Sequence, residues 1–192
     1  TEQEEQRLLK ELAPDREGSG LKPMAERSEE LKRMMQDAYD LVVLLLDTGA
    51  RYSEIANIEW QRVDLAEKAI HLWRSKVQNE TVLYMTDRVH AVLSRRLETK
   101  TGPYVFTNRD GKARGYCTQS IRKAILRAGL QNCRVHTLRH THASRLIQNG
   151  MSVYEVREIL GHSDLKTTMR YAHLESRQVT SKARDVINHL NR

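Results

Sequence analysis

The chain has 192 residues, a net charge of +7 and 39% hydrophobic residues, which suits one domain with a sizeable core or two small ones. The apolar run at residues 41–46 is far too short to span a membrane, so we interpret it as part of a buried helix. Two cysteines, Cys117 and Cys133, are too few for a disulfide framework, and no signal peptide opens the chain. We therefore expect a cytoplasmic protein in a reducing compartment.

The charge is distributed unevenly along the chain. Residues 88–146 contain 13 Lys or Arg against 2 Asp or Glu, whereas residues 1–40 contain 7 against 11. Such a basic block is typical of a protein that binds a polyanion such as nucleic acid. A solvated basic face would give the same composition, so charge alone leaves both interpretations open.

Helical patterns dominate the chain. Thr1 and Glu4 have the spacing of a capping box, which predicts a helix at the start, and residues 14–23 have the Pro and Gly content of a loop. Gly49 is a typical helix stop. Apolar residues recur at helical spacing, which predicts helices at about 28–48, 53–60, 87–98, 117–128, 137–148, 152–160, 164–173 and 177–190.

Residues 61–85 have a different, strand-like character. Branched and aromatic residues occur at Val63, 70–73 and 81–85, with a plausible turn at 78–80. We predict two or three antiparallel strands here. The expected fold is thus mainly α with a small antiparallel β-sheet (α+β), in a single domain covering residues 1–192.

His136 and Arg139 are candidates for chemistry on a phosphate group. They are three residues apart near the start of a helix, so their side chains share one face. Histidine titrates near neutral pH and can act as an acid or a base. Arginine offers a planar fork of donors that matches phosphate oxygens.

The neighbouring histidines also suggest a metal site. His136 and His140 are four residues apart, as in a helical zinc site, and His142 follows. The motif lacks the glutamate of a metalloprotease helix, and no carboxylate lies between Arg114 and Arg145. We therefore expect no metal, and we interpret His140 as a structural histidine with a satisfied hydrogen bond.

Three further segments have both a functional and an ordinary interpretation. The glycine turn at 48–54 could present Arg51 to an anion at a helix N-terminus, or Arg51 could simply pair with Glu54. Lys76, with Arg74 close by, lies at the tip of the predicted strand pair, where a lysine usually serves solubility. Residues 152–171 could form a helix-turn-helix DNA reader in which Tyr171 only packs.

Three segments together resemble the catalytic domain of the tyrosine recombinases, the phage integrase family. They are residues 48–54 (TGARYSE), 136–141 (HTLRHT) and 160–173 (LGHSDLKTTMRYAH), and they occur in the family's order and spacing. The resemblance covers the whole chain. It implies the architecture of that catalytic domain.

The resemblance also implies a role for each matching residue. Arg51 and Arg139 correspond to the family's two phosphate-clamping arginines, and Tyr171 corresponds to its nucleophile. His136 corresponds to the histidine of its His-x-x-Arg box, and His162 to its later His or Trp position. The implied general acid is Lys76. The match is looser there, because residues 79–83 depart from the family pattern, and Arg74 and Lys68 remain outside candidates.

The implied function is site-specific cleavage and rejoining of double-stranded DNA through a 3′-phosphotyrosine, without a metal or other cofactor. The family implies four protomers around two duplexes, with about 177–192 docking on a neighbour. It also implies a preceding DNA-binding domain, and we expect the present chain to be the catalytic domain alone. No membrane is expected, and the protein is expected on the nucleoid when DNA is bound.

Other functions remain possible from the sequence. The first alternative is a non-catalytic helix-turn-helix DNA-binding regulator, and the second is a metal-dependent hydrolase that uses His136, His140 and His142. A type IB topoisomerase would share the chemistry without the sequence specificity.

Overall fold

The computed structural model describes residues 1–18, 20–74, 79–162 and 165–190. Within these residues the chain is mainly helical with a small antiparallel sheet, which confirms the predicted fold class. The strands are β1 (Val63–Asp64), β2 (Ala69–Arg74) and β3 (Asn79–Tyr84). The helices are α1 (Glu2–Leu12), α2 (Glu29–Thr48), α3 (Tyr52–Ala56), α4 (Asp87–Glu98), α5 (Gln119–Arg127), α6 (Val135–Gln148), α7 (Val153–Leu160), α8 (Leu165–Met169) and α9 (Ala172–Leu190).

Helix α2 is the centre of the core. Ser28 caps its N-terminus, and Gly49 ends it in the left-handed conformation with φ of 61°. The apolar run 41–46 is no more than 4% exposed at any residue, as predicted. Helices α1, α3, α4, α5 and α6 all contact α2. The residues that follow Gly49 therefore leave the core at a fixed point.

The sheet has the order β1-β2-β3, and both strand pairs are antiparallel. Ile70 and Leu83 face each other across β2 and β3 and are buried against the main core. Trp73 and Tyr84 point to the other side and are exposed. The alternation buries one face of the sheet and brings the end of β2, at Arg74, to the interior.

Part of the basic block is neutralised inside the protein. Arg96 donates to both Asp37 and Asp40 of α2, at 2.6 and 2.7 Å, and Arg114 donates to Asp37 at 2.7 Å. Both aspartates are buried. Seven of the thirteen cations in residues 88–146 form ion pairs with carboxylates of residues 1–47: Arg88, Arg95, Arg96, Arg109, Arg114, Arg127 and Arg145. The cations that remain for a polyanion are fewer than the composition indicates.

The C-terminal helices differ from the prediction at one point. The sequence predicted one helix over 164–173 and a break before a helix at 177, and both predictions are wrong. Helix α8 ends at Met169, and α9 runs without a break from Ala172. Tyr171 lies at the junction, and its backbone N–H donates to the carbonyl of Thr168 at 3.0 Å in a tight turn. The Tyr171 side chain is buried in a second apolar cluster, and this burial sets the direction of the chain here. The cluster also contains Ala143, Ile147, Val153, Val156 and Leu160.

No helix in the described parts of the chain is both long and apolar enough to cross a membrane.

Candidate active site

Helix α6 presents one of the two walls of the site. His136 lies in its first turn and is exposed, whereas Arg139 on the same face is 4% exposed. The rings of His136 and His140 meet edge to face with centroids 4.7 Å apart. Helical spacing therefore gathers two imidazoles and a guanidinium on one side of α6, as predicted for His136 and Arg139.

The C-terminal end of α7 forms the other wall. Gly161 takes the left-handed conformation, with φ of 61°, and ends the helix so that its last carbonyls point into the site. Arg139 donates to the carbonyl of Leu160 at 2.7 Å and to that of Gly49 at 2.7 Å. Cations at a helix C-terminus are favourable because the carbonyls carry partial negative charge.

Arg51 enters the site from the turn between α2 and α3. Its Nη1 donates to Glu54 Oε1 at 2.7 Å, and Glu54 Oε2 accepts from the Arg51 backbone N–H at 2.7 Å. Its Nη2 lies 3.5 Å from the carbonyl oxygen of Gly161. Both interpretations of Arg51 thus hold together: it pairs with Glu54, and that pair orients it toward α7.

Arg74 is a third arginine at the same place. It lies at the end of β2, is 2% exposed, and donates through Nη1 to the carbonyl of Ile159 at 3.0 Å. Three arginines from three separate elements therefore meet the consecutive carbonyls of Ile159, Leu160 and Gly161.

Two glycines permit these close approaches. A Cβ on Gly49 would lie 2.5 Å from Cδ2 of His142, and a Cβ on Gly161 would lie 2.0 Å from Nη1 of Arg74. Both glycines also have positive φ, a conformation that costs other residues free energy. The glycines of the 48–54 and 160–173 segments are needed for packing as well as for turns.

The Tyr171 hydroxyl points at α6. It makes a short hydrogen bond with Nδ1 of His140, and the side chain is 6% exposed. Burial raises the pKa of the Tyr171 phenol, and the positive charges of Arg170 and Arg139 oppose that rise. A neutral imidazole protonated at Nε2 can accept the hydroxyl proton at Nδ1, so His140 is a partner for Tyr171 that the sequence analysis did not assign.

His162 follows Gly161 and faces the arginines. Its Nδ1 lies 2.8 Å from Oγ1 of Thr168 on α8, which orients the ring. Burial, followed by the charges of Arg139 and Arg51, lowers the pKa of His162 to about 4. The imidazole is therefore neutral near pH 7 and offers a ligand hydrogen bonds without a positive charge.

Three other titratable groups in the site also have a lowered pKa. Partial loss of solvation lowers the pKa of both His136 and His140, and neighbouring positive charges add to the effect. Burial also lowers the pKa of Arg139 to about 10, which still leaves it charged near pH 7. The site thus combines charged arginines with neutral histidines, an arrangement suited to an anion that brings its own negative charge.

The three histidines of the metal hypothesis do not point to one centre. His142 Nδ1 lies 2.9 Å from the carbonyl oxygen of Leu46 on α2, whereas His140 Nδ1 contacts Tyr171. Among the described residues, no group of three His, Cys, Asp or Glu side chains could hold a metal ion.

The predicted site residues Arg51, His136, Arg139, His162 and Tyr171 therefore line one region between α3, α6, α7 and the start of α9. Lys76 lies outside the described residues. Of the outside candidates, Lys68 pairs with Asp87 at 3.1 Å on the exposed surface, whereas Arg74 lies in the site.

Sequence reasoning missed the place of His140 in this site and named Arg74 only as an outside candidate for the general acid. His140 follows His136 by one helical turn, and that spacing alone could have placed it in the site. Arg74 was named only for its nearness to Lys76, because its contact with the carbonyl of Ile159 joins β2 to α7 and is not visible in the sequence.

Comparisons with known proteins identify the family of this chain. The sequence profile of the phage integrase family matches residues 2–178. The integrase of Salmonella phage P22 is 31% identical over 176 residues, which cover 82% of this chain and 45% of that protein. Tyrosine recombinase XerD of Staphylococcus epidermidis is 32% identical over 72% of this chain and 50% of its own length. The chain thus spans about half the length of these curated relatives.

The fold matches solved structures as well. The catalytic domain of bacteriophage HP1 integrase superimposes with a TM-score of 0.64 at 26% identity, covering 94% of this chain and 91% of that domain.

Proposed function

Because the chain belongs to the phage integrase family, we propose that it is the catalytic domain of a site-specific DNA recombinase. In this proposal residues 1–192 form one catalytic unit that cleaves and rejoins double-stranded DNA through a 3′-phosphotyrosine. The observation that carries it is the short contact between the Tyr171 hydroxyl and His140 beside Arg139. A buried tyrosine that meets a proton acceptor next to cations is suited to attack on phosphorus.

The chemistry assigns a task to each group. The Tyr171 oxygen attacks the phosphorus and loses its proton, which His140 or His136 can accept. Arg51 and Arg139 balance the charge that builds on the non-bridging oxygens. His162, neutral before DNA binds, donates a hydrogen bond to one of them. The bond to the 5′-oxygen then breaks, and this oxygen takes a proton from Lys76, the proposed general acid.

The reaction needs no added energy source, because the phosphotyrosine keeps the energy of the phosphodiester bond. The 5′-hydroxyl of a second DNA end can attack the phosphorus and release Tyr171. Fixed arginines supply the positive charge that metal ions supply in many other phosphoryl-transfer enzymes. We propose that no cofactor takes part.

We assign DNA binding outside the site to the cations of residues 88–146 that form no ion pair with a carboxylate in the described part of the chain. Arg122 and Lys123 on α5 and Arg134 before α6 are exposed and belong to this group. Such residues give affinity for the DNA backbone without sequence choice. From the family we further propose a tetramer around two duplexes and a location in the cytoplasm on the nucleoid.

The alternative of a non-catalytic helix-turn-helix regulator receives no support from the relatives, which are integrases and recombinases. The gathered arginines, the histidines and Tyr171 also exceed what a DNA reader needs.

Covalent trapping tests the proposal. Nicked duplexes taken from the DNA that flanks the gene are incubated with the chain or with Tyr171→Phe, in the presence of a chelator. We expect a denaturation-resistant protein–DNA product from the unchanged chain only. An equal product from Tyr171→Phe, or none from the unchanged chain although it binds the DNA, would contradict the proposal for this chain.

A further inference from the structure

Arg74 has a pair of unused donors inside the protein. Its Nε and Nη2 atoms are buried and have no hydrogen-bond partner among the described residues, while Nη1 donates to Ile159. Nε lies 3.6 Å from Oε1 of Glu54, which is beyond hydrogen-bond distance. A buried donor without a partner costs about 1–3 kcal/mol, and more when it is charged. Such a group needs an explanation.

The unused pair forms one edge of the guanidinium. Nε and Nη2 point in parallel, and this edge matches two oxygens of a phosphate or carboxylate group. Glu54 lies beside this edge as an ion-pair partner, but at 3.6 Å its Oε1 makes no hydrogen bond to Nε, and it accepts from Arg51 Nη1 at 2.7 Å. Among the described residues the hydrogen-bonding capacity of this edge is therefore unused.

The surroundings of Arg74 match those of Arg51 and Arg139. All three are held by neighbouring carbonyls at the end of α7, and their charges influence one another and His162. Arg74 is buried to the same degree as Arg139, since their exposed fractions are 2% and 4%. Glu54 alone does not balance three guanidinium groups in this space.

From this geometry we infer that Arg74 is a third phosphate-binding arginine of the site and that its Nε–Nη2 edge takes non-bridging oxygens of the DNA phosphate. The inference rests on the proposed function for the identity of the phosphate. No bond is made or broken by Arg74. It adds charge and two hydrogen bonds to the anion that Arg51 and Arg139 also bind.

The first experiment uses inorganic phosphate and does not depend on DNA cleavage. The Nε–H signals of the arginines are followed by two-dimensional ¹H–¹⁵N NMR during a phosphate titration, and Arg74→Lys identifies the Arg74 signal by its loss. We expect the Arg74, Arg51 and Arg139 signals to shift together with one dissociation constant. A fixed Arg74 signal, or no shift of any of the three, would overturn the inference.

Variants then measure the contribution of Arg74. Arg74→Met should weaken phosphate binding by at least roughly tenfold, because it removes two charge-assisted hydrogen bonds. Arg7→Met, which removes the same charge from the exposed face of α1, should leave the affinity within about twofold, since that charge is screened. Equal affinity of Arg74→Met and the unchanged chain would contradict a phosphate contact, provided that circular dichroism shows both to be folded.

A DNA substrate separates binding of the phosphate from a purely structural role. In the trapping assay, a neutral methylphosphonate replaces the phosphate at the cleavage position. If Arg74 balances phosphate charge, the defect of Arg74→Met relative to the unchanged chain should shrink on this substrate. A defect of the same size on both substrates would show a structural role. Absence of cleavage by the unchanged chain would contradict the proposed function and leave the phosphate titration as the test of Arg74.

Discussion

The guanidinium of Arg74 occupies the space that a side chain at Gly161 would need. A Cβ at Gly161 would lie 2.0 Å from Nη1 and 2.7 Å from Cζ of Arg74. The glycine between Leu160 and His162 is therefore required by an arginine that is 87 residues away in sequence. Its positive φ adds a second requirement at the same position.

Gly161→Ala should consequently destabilise the protein more than a turn glycine normally does. We expect a loss of about 2–4 kcal/mol in the free energy of unfolding, from backbone strain plus displacement of Arg74. Gly129→Ala is the matched control, because Gly129 has φ of 67° but nothing within 4 Å of its Cβ position. It should lose only about 1 kcal/mol. Equal losses in urea unfolding would show that Arg74 moves away freely.

His162 should make the protein sensitive to acid. Its pKa is about 4 in the folded state, below its ordinary value of 6.5. Between these values the unfolded chain binds a proton that the folded chain does not, so stability is lost as the pH falls below about 6.5. From about pH 7.5 to 5 the chain should lose roughly 2 kcal/mol more than His162→Gln. Identical pH dependence of the two unfolding free energies would exclude this role.

His140 should support the reaction by accepting the hydroxyl proton of Tyr171. His140→Phe removes the acceptor and should slow formation of the covalent DNA product by at least about tenfold. His140→Asn keeps an acceptor atom close to the Nδ1 position, so it should hold the hydroxyl but still react more slowly than the unchanged chain. If all three chains react at equal rates in single-turnover trapping, His140 only packs against Tyr171.

The exposed cations of α5 should control the salt dependence of DNA binding. Replacing Lys123 with Ala removes one phosphate contact and should reduce the slope of log K against log salt by about one. Arg127→Ala on the same helix is the control, because Arg127 already pairs with Glu11 at 2.8 Å. Equal slopes for both variants would exclude α5 from the DNA-binding surface.

The buried ion pairs of α2 should matter for folding alone. Asp40 is fully buried and accepts from Arg96 at 2.7 Å, so Asp40→Ala leaves buried positive charge without its partner. We expect a loss of about 3–5 kcal/mol in the free energy of unfolding. Glu30→Ala removes the exposed pair with Arg109 and should cost at most about 1 kcal/mol. Similar losses in urea unfolding would contradict the structural role of Asp40.

Local patterns were sufficient to predict most of the fold, and the resemblance to the phage integrase family implied the outline of the site. The cap at Thr1, the stop at Gly49 and the apolar run 41–46 are properties of neighbouring residues, and the structure agrees with each of them. Arg51 lies two residues after Gly49 and His162 directly after Gly161, and both glycines end a helix, so the family segments that contain them could be recognised without knowledge of the packing.

Long-range contacts account for what the sequence could not predict. Arg74 reaches the site only because β2 ends against α7. The break between α8 and α9 depends on burial of Tyr171, which helical periodicity does not encode. The basic block suggested a larger anion-binding surface because the pairing of Arg88 and Arg145 with Glu5 joins distant parts of the chain.

The common support of Arg51, Arg74 and Arg139 has a consequence for genetics. Since all three are held by one turn of α7, a shift of that helix displaces them together. Random mutagenesis followed by selection for inactive protein should therefore return apolar changes at Val153 and Val156 as well as changes in the arginines themselves. Second-site suppressors of the apolar changes should lie on the neighbouring face of α6, where Ala143 and Ile147 pack in the same apolar cluster as Val153 and Val156 of α7.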